Sequence, residues 1–325
     1  MAPADKSKRF ADLKVRVISA IVVGFGSLLM VWLGGPWMAA LITVATIAMV
    51  VELRIITRRG ADPDIWSAVF AAAGVGGVLT AAVWGADLAF LVLGLGVLAA
   101  AAMHPPDTGQ GGAARLVITA IPAVILALGV WWGSTPVIFA GGIALIALTY
   151  VLYTGGDDPG PMVTILGTFY IGTAAIAFIL LRQVDPFGFL SILWAALVVV
   201  GADIGGYFAG RIIGGAKLWP AVSPKKTWSG LGGGVVLAFF VGGIFSWATT
   251  GTYFYQVCLV SMIAAVVSQA GDLAESALKR RFNVKDASGL IPGHGGVLDR
   301  LDGHLAAILV AAAVTFARDK PVFVW

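Results

Sequence analysis

From position 16 to position 317 the chain is a string of apolar stretches, each close to the length of a bilayer core and nearly free of charge. A hydrocarbon layer roughly 30 Å thick is crossed by about 20 apolar residues in helical form. Stretches of that kind lie at 16–33, 36–54, 65–84, 86–103, 115–132, 136–153, 162–181, 187–209, 229–248, 254–277 and 303–317. Of 325 residues, 59% are hydrophobic and 12% charged, where a soluble domain has about 45–50% and about 25%. The stretches carry Gly, Ala and Leu without two-residue alternation, as in "AAAGVGGVLTAA". Helices rather than a β-barrel must therefore satisfy the backbone, with small residues allowing them close contact. The expected fold is all-α, a polytopic integral membrane protein of about nine to eleven transmembrane helices. Basic residues precede the first stretch, but no small-residue cleavage site follows it and further spans come at once, so it is read as a retained helix.

Orientation follows from Lys and Arg. Lys6, Lys8, Arg9, Lys14 and Arg16 precede the first span, Arg54, Arg58 and Arg59 follow the second, and the richest basic loops are 211–226 and 279–300. With eleven spans all of these share one side, which the positive-inside rule makes cytoplasmic. The closing "RDKPVFVW" then falls on the other side, a mildly unfavourable place for basic residues.

The chain changes character near "YTGGDDPGPM", which divides an N-terminal transmembrane region, 1–160, from a C-terminal one, 161–325. In the first region charges sit in short loops: Glu52, Arg54, Arg58 and Arg59 read as an interfacial span end, and His104, Asp107, Asp157 and Asp158 as loop residues. No internal repeat supports an inverted-repeat transporter. The single cysteine, Cys258, excludes an internal disulfide and a Cys-based metal site.

In the second region charges occur where a span should be apolar. Asp203 lies in "VVVGADIGGYFAGR", and Asp272 and Glu275 lie in "VVSQAGDLAESALKRR". Ionisable groups at membrane depth are costly and normally line a wet cavity or face a partner. On one helix Asp272, Glu275, Ser276 and Lys279 follow i, i+3, i+4, i+7 spacing and form a hydrated stripe. The helix should break at Pro292 and its flanking glycines and restart with Asp299 and Asp302 one turn apart. Asp272, Asp299 and Asp302 could then converge, and an oxygen-only ligand set of this kind suits Mg²⁺ shared with substrate phosphates.

Lys279, Arg280, Lys285 and Arg300 stand around these acids, with Lys225 and Lys226 from "KLWPAVSPKKTWSG". Acids for a metal and bases for oxyanions are what phosphoryl or nucleotidyl transfer needs, because its transition state spreads charge over non-bridging oxygens. Gly293, Gly295 and Gly296 would let backbone approach a phosphate, and His294 could donate a hydrogen bond or shuttle a proton. A patch for anionic headgroups alone would not alternate acids with bases. No "GxxxxGK[ST]" is present, which removes Walker-type ATPases. "DRLDGH" starts like the motif of enzymes joining CDP-activated lipids to alcohols, but the further spaced acids are missing after Gly303. A CTP-dependent lipid kinase and an ion-conducting transporter stay open on these residues.

Ser276, Lys279, Arg280, Lys285, Asp286, Pro292, His294, Gly295, Gly296, Asp299, Arg300 and Asp302 together resemble, complete and in spacing, the signature of the phosphatidate cytidylyltransferases, also called CDP-diacylglycerol synthases. "DIGGYFAGRIIGGAKL", "SPKKTWSG" and "SQAGDLAES" are similar to further segments of that family, so the likeness covers roughly 165–302, with the signature itself at 276–302. Gly206 stands where the family usually has Ala, and Ser229 where it usually has Glu. The resemblance implies transfer of CMP from CTP to phosphatidic acid in phospholipid biosynthesis, giving CDP-diacylglycerol and pyrophosphate with Mg²⁺. It further implies a site at the cytoplasmic ends of the C-terminal helices, in a bacterial-type inner membrane. Asp272, Asp299 and Asp302 are then expected to hold the metal, Lys279 and Arg280 the CTP phosphates, and Lys225 and Lys226 the lipid phosphate or triphosphate tail. Ser276 would ligate metal or phosphate, Lys285, Asp286, His294 and Arg300 would belong to the catalytic set, with Asp286 as a structural partner of Lys285 the alternative, and Asp203, Gly295 and Gly296 would line the substrate site. A lateral opening for the lipid is expected beside Asp203 and the 211–228 loop. The implied partners are the two substrates, membrane lipids and a second copy of the chain in a homodimer, with no nucleic acid.

Overall fold

Residues 3–103 and 159–325 are described by the structure, a computed structural model. The expected spans at 115–132 and 136–153, with His104, Asp107, Asp157 and Asp158, lie outside the described residues. The described helices are α1 (Pro3–Leu33), α2 (Gly35–Thr57), α3 (Ile65–Trp84), α4 (Ala86–Met103), α5 (Gly160–Arg182), α6 (Gly188–Ile212), α7 (Trp228–Thr249), α8 (Phe254–Arg281) and α9 (Leu298–Arg318). Between α6 and α7 a small antiparallel hairpin pairs β1 (Lys217–Trp219) with β2 (Ser223–Thr227). Seven helices, all but α1 and α4, are long and apolar enough to cross a membrane; α1 and α4 contribute shorter apolar stretches, Val17–Leu33 and Ala86–Val97. The chain is an integral membrane protein whose described residues are helical apart from the hairpin and connecting loops.

Local sequence sets the helix boundaries. Asp64 starts α3 with a capping box, accepting from the Ser67 N–H while the Ser67 hydroxyl accepts from Asp64 N–H. Burial raises the Asp64 carboxyl, but hydrogen bonds from Ser67 and Arg54 outweigh it and hold the group below its ordinary value. Thr227 caps α7 through the Gly230 N–H, 3.1 Å away.

Helix α5, the first of the C-terminal region, packs against α2, α3 and α4 on one side and α6 and α9 on the other. Helix α5 thus packs on helices of both the N-terminal and the C-terminal region. Helices α6 and α7 make the most extensive contact, and it runs through small residues. A Cβ on Gly205 would sit 2.5 Å from Gly233 O, one on Gly233 2.2 Å from the Ala209 Cβ, and one on Gly234 2.6 Å from Ala202 O. Backbone therefore lies against backbone, the packing that small residues allow where lipid removes the hydrophobic drive between helices.

The far end of the chain shows why its basic residues are tolerated. After α9 the tail folds back, and Phe323 is buried between Phe187, Trp194 and Phe245. Arg318 lies 3.7 Å above the Trp325 ring and donates to the Val324 carbonyl, so its charge is answered within the tail.

The α6–α7 contact generates a paired test. Gly233→Ala should destabilise the protein by about 1–3 kcal/mol through overpacking, whereas Gly232→Ala meets nothing within 4 Å and should leave stability unchanged or slightly raised. Thermal unfolding of both variants in one detergent measures the difference; equal melting temperatures would contradict the packing described.

Candidate active site

The polar residues gather at one end of the bundle, where α2, α6 and α8 finish and α3, α5, α7 and α9 begin. The hairpin covers this end. Successive strand residues point to opposite faces, so Lys225 is exposed while Lys226 turns inward. The Lys226 Nζ lies 2.9 Å from the Gln269 Oε1 and 2.5 Å from the Asp272 Oδ2. Gln269 in turn donates to Asp203 at 2.8 Å. The expected loop at 211–226 is therefore partly strand, and it ties α6 to α8 through Asp203, Gln269, Lys226 and Asp272.

A cleft of about 330 Å³ opens beside this chain of contacts, lined by Asp203, Tyr207, Arg211, Lys225, Lys226 and Gln269 together with small residues of α6 and α7. It lies where the lateral opening was expected. Ser229, at the position the family usually fills with Glu, hydrogen-bonds the Gly214 carbonyl and the Thr227 hydroxyl and so closes the turn before α7. A Cβ on Gly206 would meet Gly230 O at 3.4 Å, an ordinary contact, so the Ala usual in the family would fit here too.

Deeper, Lys279 bridges two carboxylates, Glu275 at 2.7 Å and Asp299 at 2.9 Å. The stripe on α8 is thus only partly hydrated: Glu275 is 8% exposed and its Oε1 has no hydrogen-bond partner, while Asp272 and Ser276 remain half-buried. Ser276 donates to Asp272 at 3.3 Å. Asp299 is fully engaged. Beyond Lys279 it accepts from Gly296 N–H at 3.0 Å and from Ala287 N–H at 3.2 and 3.3 Å.

The loop between α8 and α9 turns tightly at Ile291–His294. Pro292 occupies the second position and Gly293 the third with φ 76°, and the His294 N–H returns to Ile291 O at 2.9 Å. Arg300 donates twice to the His294 carbonyl, at 2.9 and 2.6 Å, and so stitches its own loop. The His294 Nδ1 lies 3.0 Å from the Ser19 hydroxyl of α1. Arg280, Lys285 and Asp286 are exposed, and no ion pair joins Lys285 to Asp286 among the described residues.

The three expected metal ligands divide into two sets. Among the described residues no group of three or more His, Cys, Asp or Glu side chains could hold a metal by itself. Mg²⁺ held by one or two carboxylates plus substrate phosphates needs fewer, and Asp272 with Asp302 fits that need. The two helices cross at Gly271, where a Cβ would lie 2.9 Å from Asp302 O. The carboxylates of Asp272 and Asp302 feel each other's charge there, and no ion pair reaches Asp302 among the described residues. Asp299 fits less well, because three protein donors already hold its two oxygens, whereas Asp272 carries only Lys226 and a longer bond of 3.3 Å from Ser276.

Sequence reading missed Glu52. Read as part of an interfacial span end, it is 2% exposed within the protein, and it accepts from the Val297 N–H at 2.9 Å, the Leu298 N–H at 2.7 Å and the Ser288 hydroxyl at 2.5 Å. Its neighbour Arg54 is likewise buried, paired with Asp64 at 2.7 Å. The only available signal was a lone acid at the end of an apolar run.

Comparison with known proteins finds a family and named relatives. The model described as "Cytidylyltransferase family" matches residues 14–317. A phosphatidate cytidylyltransferase of Brucella suis is 47% identical over 141 residues, 43% of this chain and 52% of that protein. Another, of Bacillus subtilis, is 36% identical over 209 residues, 59% of this chain and 77% of the relative. A third, of Haemophilus influenzae, is 34% identical over 189 residues, 55% and 63% of the two chains. The match thus spans about half the length of the Brucella relative.

Removing Lys279 leaves two carboxylates facing each other in a poorly hydrated place, so Lys279→Met should cost about 3–5 kcal/mol. Neutralising one acid as well, in Glu275→Gln/Lys279→Met, should recover part of that loss. Unfolding of both variants in detergent checks this; a single variant as stable as the parent would contradict the bridge.

Proposed function

The chain belongs to the cytidylyltransferase family, and from that premise we propose that it transfers CMP from CTP to phosphatidic acid, forming CDP-diacylglycerol and pyrophosphate. One non-bridging oxygen of the lipid phosphate attacks the α-phosphorus of CTP. The bond from that phosphorus to the β-phosphate bridging oxygen breaks, and pyrophosphate leaves with the electron pair. Phosphatidate is already ionised near neutrality, so no strong general base is required, and His294 is not assigned that role.

The observation that carries this reading is the placement of Lys226, which faces the cleft on one side and Asp272 on the other. Two anionic reactants must be brought together, and positioning with charge neutralisation is most of the catalysis in such reactions. Lys225, Lys226 and Arg211 line the cleft and supply positive charge for phosphates entering it. When bound, Mg²⁺ would neutralise phosphate oxygens, with Asp272 and Asp302 as its protein ligands. Ser276 holds Asp272 in orientation. Lys279 serves to join α8 to α9, and Arg280 remains available at the rim for the triphosphate.

The site lies at the end of the bundle that carries Arg58, Arg211, Lys225 and Arg280. A concentration of basic residues at one end supports a cytoplasmic placement under the positive-inside rule, in the inner membrane of a bacterial-type cell. CTP would enter from that compartment, while the lipid arrives sideways through the cleft bounded by α6, the hairpin and α8.

The test is a detergent assay of the purified chain with phosphatidic acid and CTP labelled at the α-phosphate, with and without Mg²⁺. Label should move into lipid only with Mg²⁺, and Asp272→Asn should lower the rate by about 10²-fold or more while the variant stays folded by circular dichroism. Label ending in CDP would mean γ-phosphate transfer instead, and near-parental turnover by Asp272→Asn would overturn the assignment.

A further inference from the structure

We propose that Glu52, from the second helix, is a positioning residue for the reaction: it sets the height and angle at which α9 enters the site, and so the placement of Asp302 against Asp272.

A carboxylate buried in an apolar bundle is costly unless donors surround it. Glu52 finds three, and two are backbone amides at the very start of α9: Val297, its N-cap, and Leu298, its first residue. These amides have no partner within the helix, and the helix dipole places partial positive charge there. Val297 itself, in a helical conformation with no side-chain cap, supplies nothing for them. Glu52 therefore caps α9 from a position 245 residues away in sequence. The fit leaves no slack. A Cβ on Gly296 would lie 2.9 Å from the Glu52 carboxyl carbon and both its oxygens, so the loop backbone rests on the carboxylate.

The same short segment is gripped from the other side by Asp299, through the amides of Gly296 and Ala287. Four consecutive residues, 296–299, thus lie between two carboxylates, one from the N-terminal region and one from α9 itself. Asp299 moves with the loop it grips and cannot fix it relative to the bundle; Glu52 can, because α2 packs on α5 and α9. Asp302 lies one turn beyond Asp299, so a shift of the first turn of α9 is passed to it directly. The cleft residues Lys225 and Lys226 belong to another element and are unaffected.

The proposal rests on the reading of the site as nucleotidyl transfer for its kinetic consequence, but not for its structural one, and the test separates the two. Hydrogen–deuterium exchange and steady-state kinetics are measured on the full chain carrying Glu52→Gln, Glu52→Asp or Ser288→Ala. In Glu52→Gln, exchange at 296–299 should quicken by about tenfold or more while α6 and α7 peptides stay unchanged, because a charged acceptor of two amides is lost. The kcat should fall about tenfold or more with KM for CTP within about threefold, since the damage is to alignment rather than binding. Glu52→Asp should restore part of the kcat, and Ser288→Ala, which keeps both amide bonds, should give a smaller change of the same pattern if Glu52→Gln fails to fold. Unchanged exchange at 296–299 would overturn the proposal. So would faster exchange throughout the bundle with Asp no better than Gln, the mark of a general stability residue. If the parent chain forms no CDP-diacylglycerol, the proposed reaction fails while the exchange measurement still decides whether Glu52 holds α9.

Discussion

A carboxylate taken out of water must be met by donors or cations, and nearly everything at the polar end of this bundle follows from that requirement. Four acids are drawn into the protein there. Glu275 and Asp299 share Lys279, Asp272 takes Lys226, and Glu52 takes the first amides of α9. Each solution joins two elements that the apolar helices alone would leave free to slide, because lipid offers little to choose between one helix register and another. The charges at this end therefore hold the architecture together as well as serving the chemistry; Lys279, Asp299 and Glu52 do the first, while Asp272 and Lys226 take part in both.

That division is the main functional lesson of the geometry. Asp299 carries Lys279 and two loop amides across its two oxygens, so it organises. Among the described residues Asp302 accepts from the N–H of Gly303 and lies across the α8–α9 crossing from Asp272, which is why the proposed function gives it to the cation. Lys226 is the movable member: its present partners are Gln269 and Asp272, and an arriving phosphate would compete for it on the cleft side. Lys279, held by two carboxylates at 14% side-chain exposure, is not movable in that sense.

Much of this was legible in the sequence. Nine of the expected spans coincide with described helices because bilayer length and apolarity are properties of a contiguous segment. The acid–base cluster of 272–302 could be read as one site because its residues lie on two helices joined by a short Gly- and Pro-rich turn. What could not be read was which lone pairs were already taken. Asp299 and Asp302, three apart, look equivalent on a helical face; only the position of Asp299 in the first turn, facing back over its own N-terminal loop, separates their fates. Glu52 was invisible for a related reason. Two of its three partners are backbone amides, which carry no sequence identity, and they lie 245 and 246 residues away. The hairpin at 217–227 escaped because strands of three and five residues give too few positions for alternation to show.

In the proposed reaction Asp272 and Asp302 receive the cation, while Asp299 stays bound to its loop. The most direct test is an experimental map of the chain with Mn²⁺ in place of Mg²⁺ and a non-hydrolysable CTP analogue, using the anomalous signal of manganese to find the ion. The account predicts a peak contacting Asp272 and Asp302, with Asp299 still on the amides of Gly296 and Ala287. A peak coordinated by Asp299, or Asp272 and Asp302 turned away from any shared ion, would contradict it.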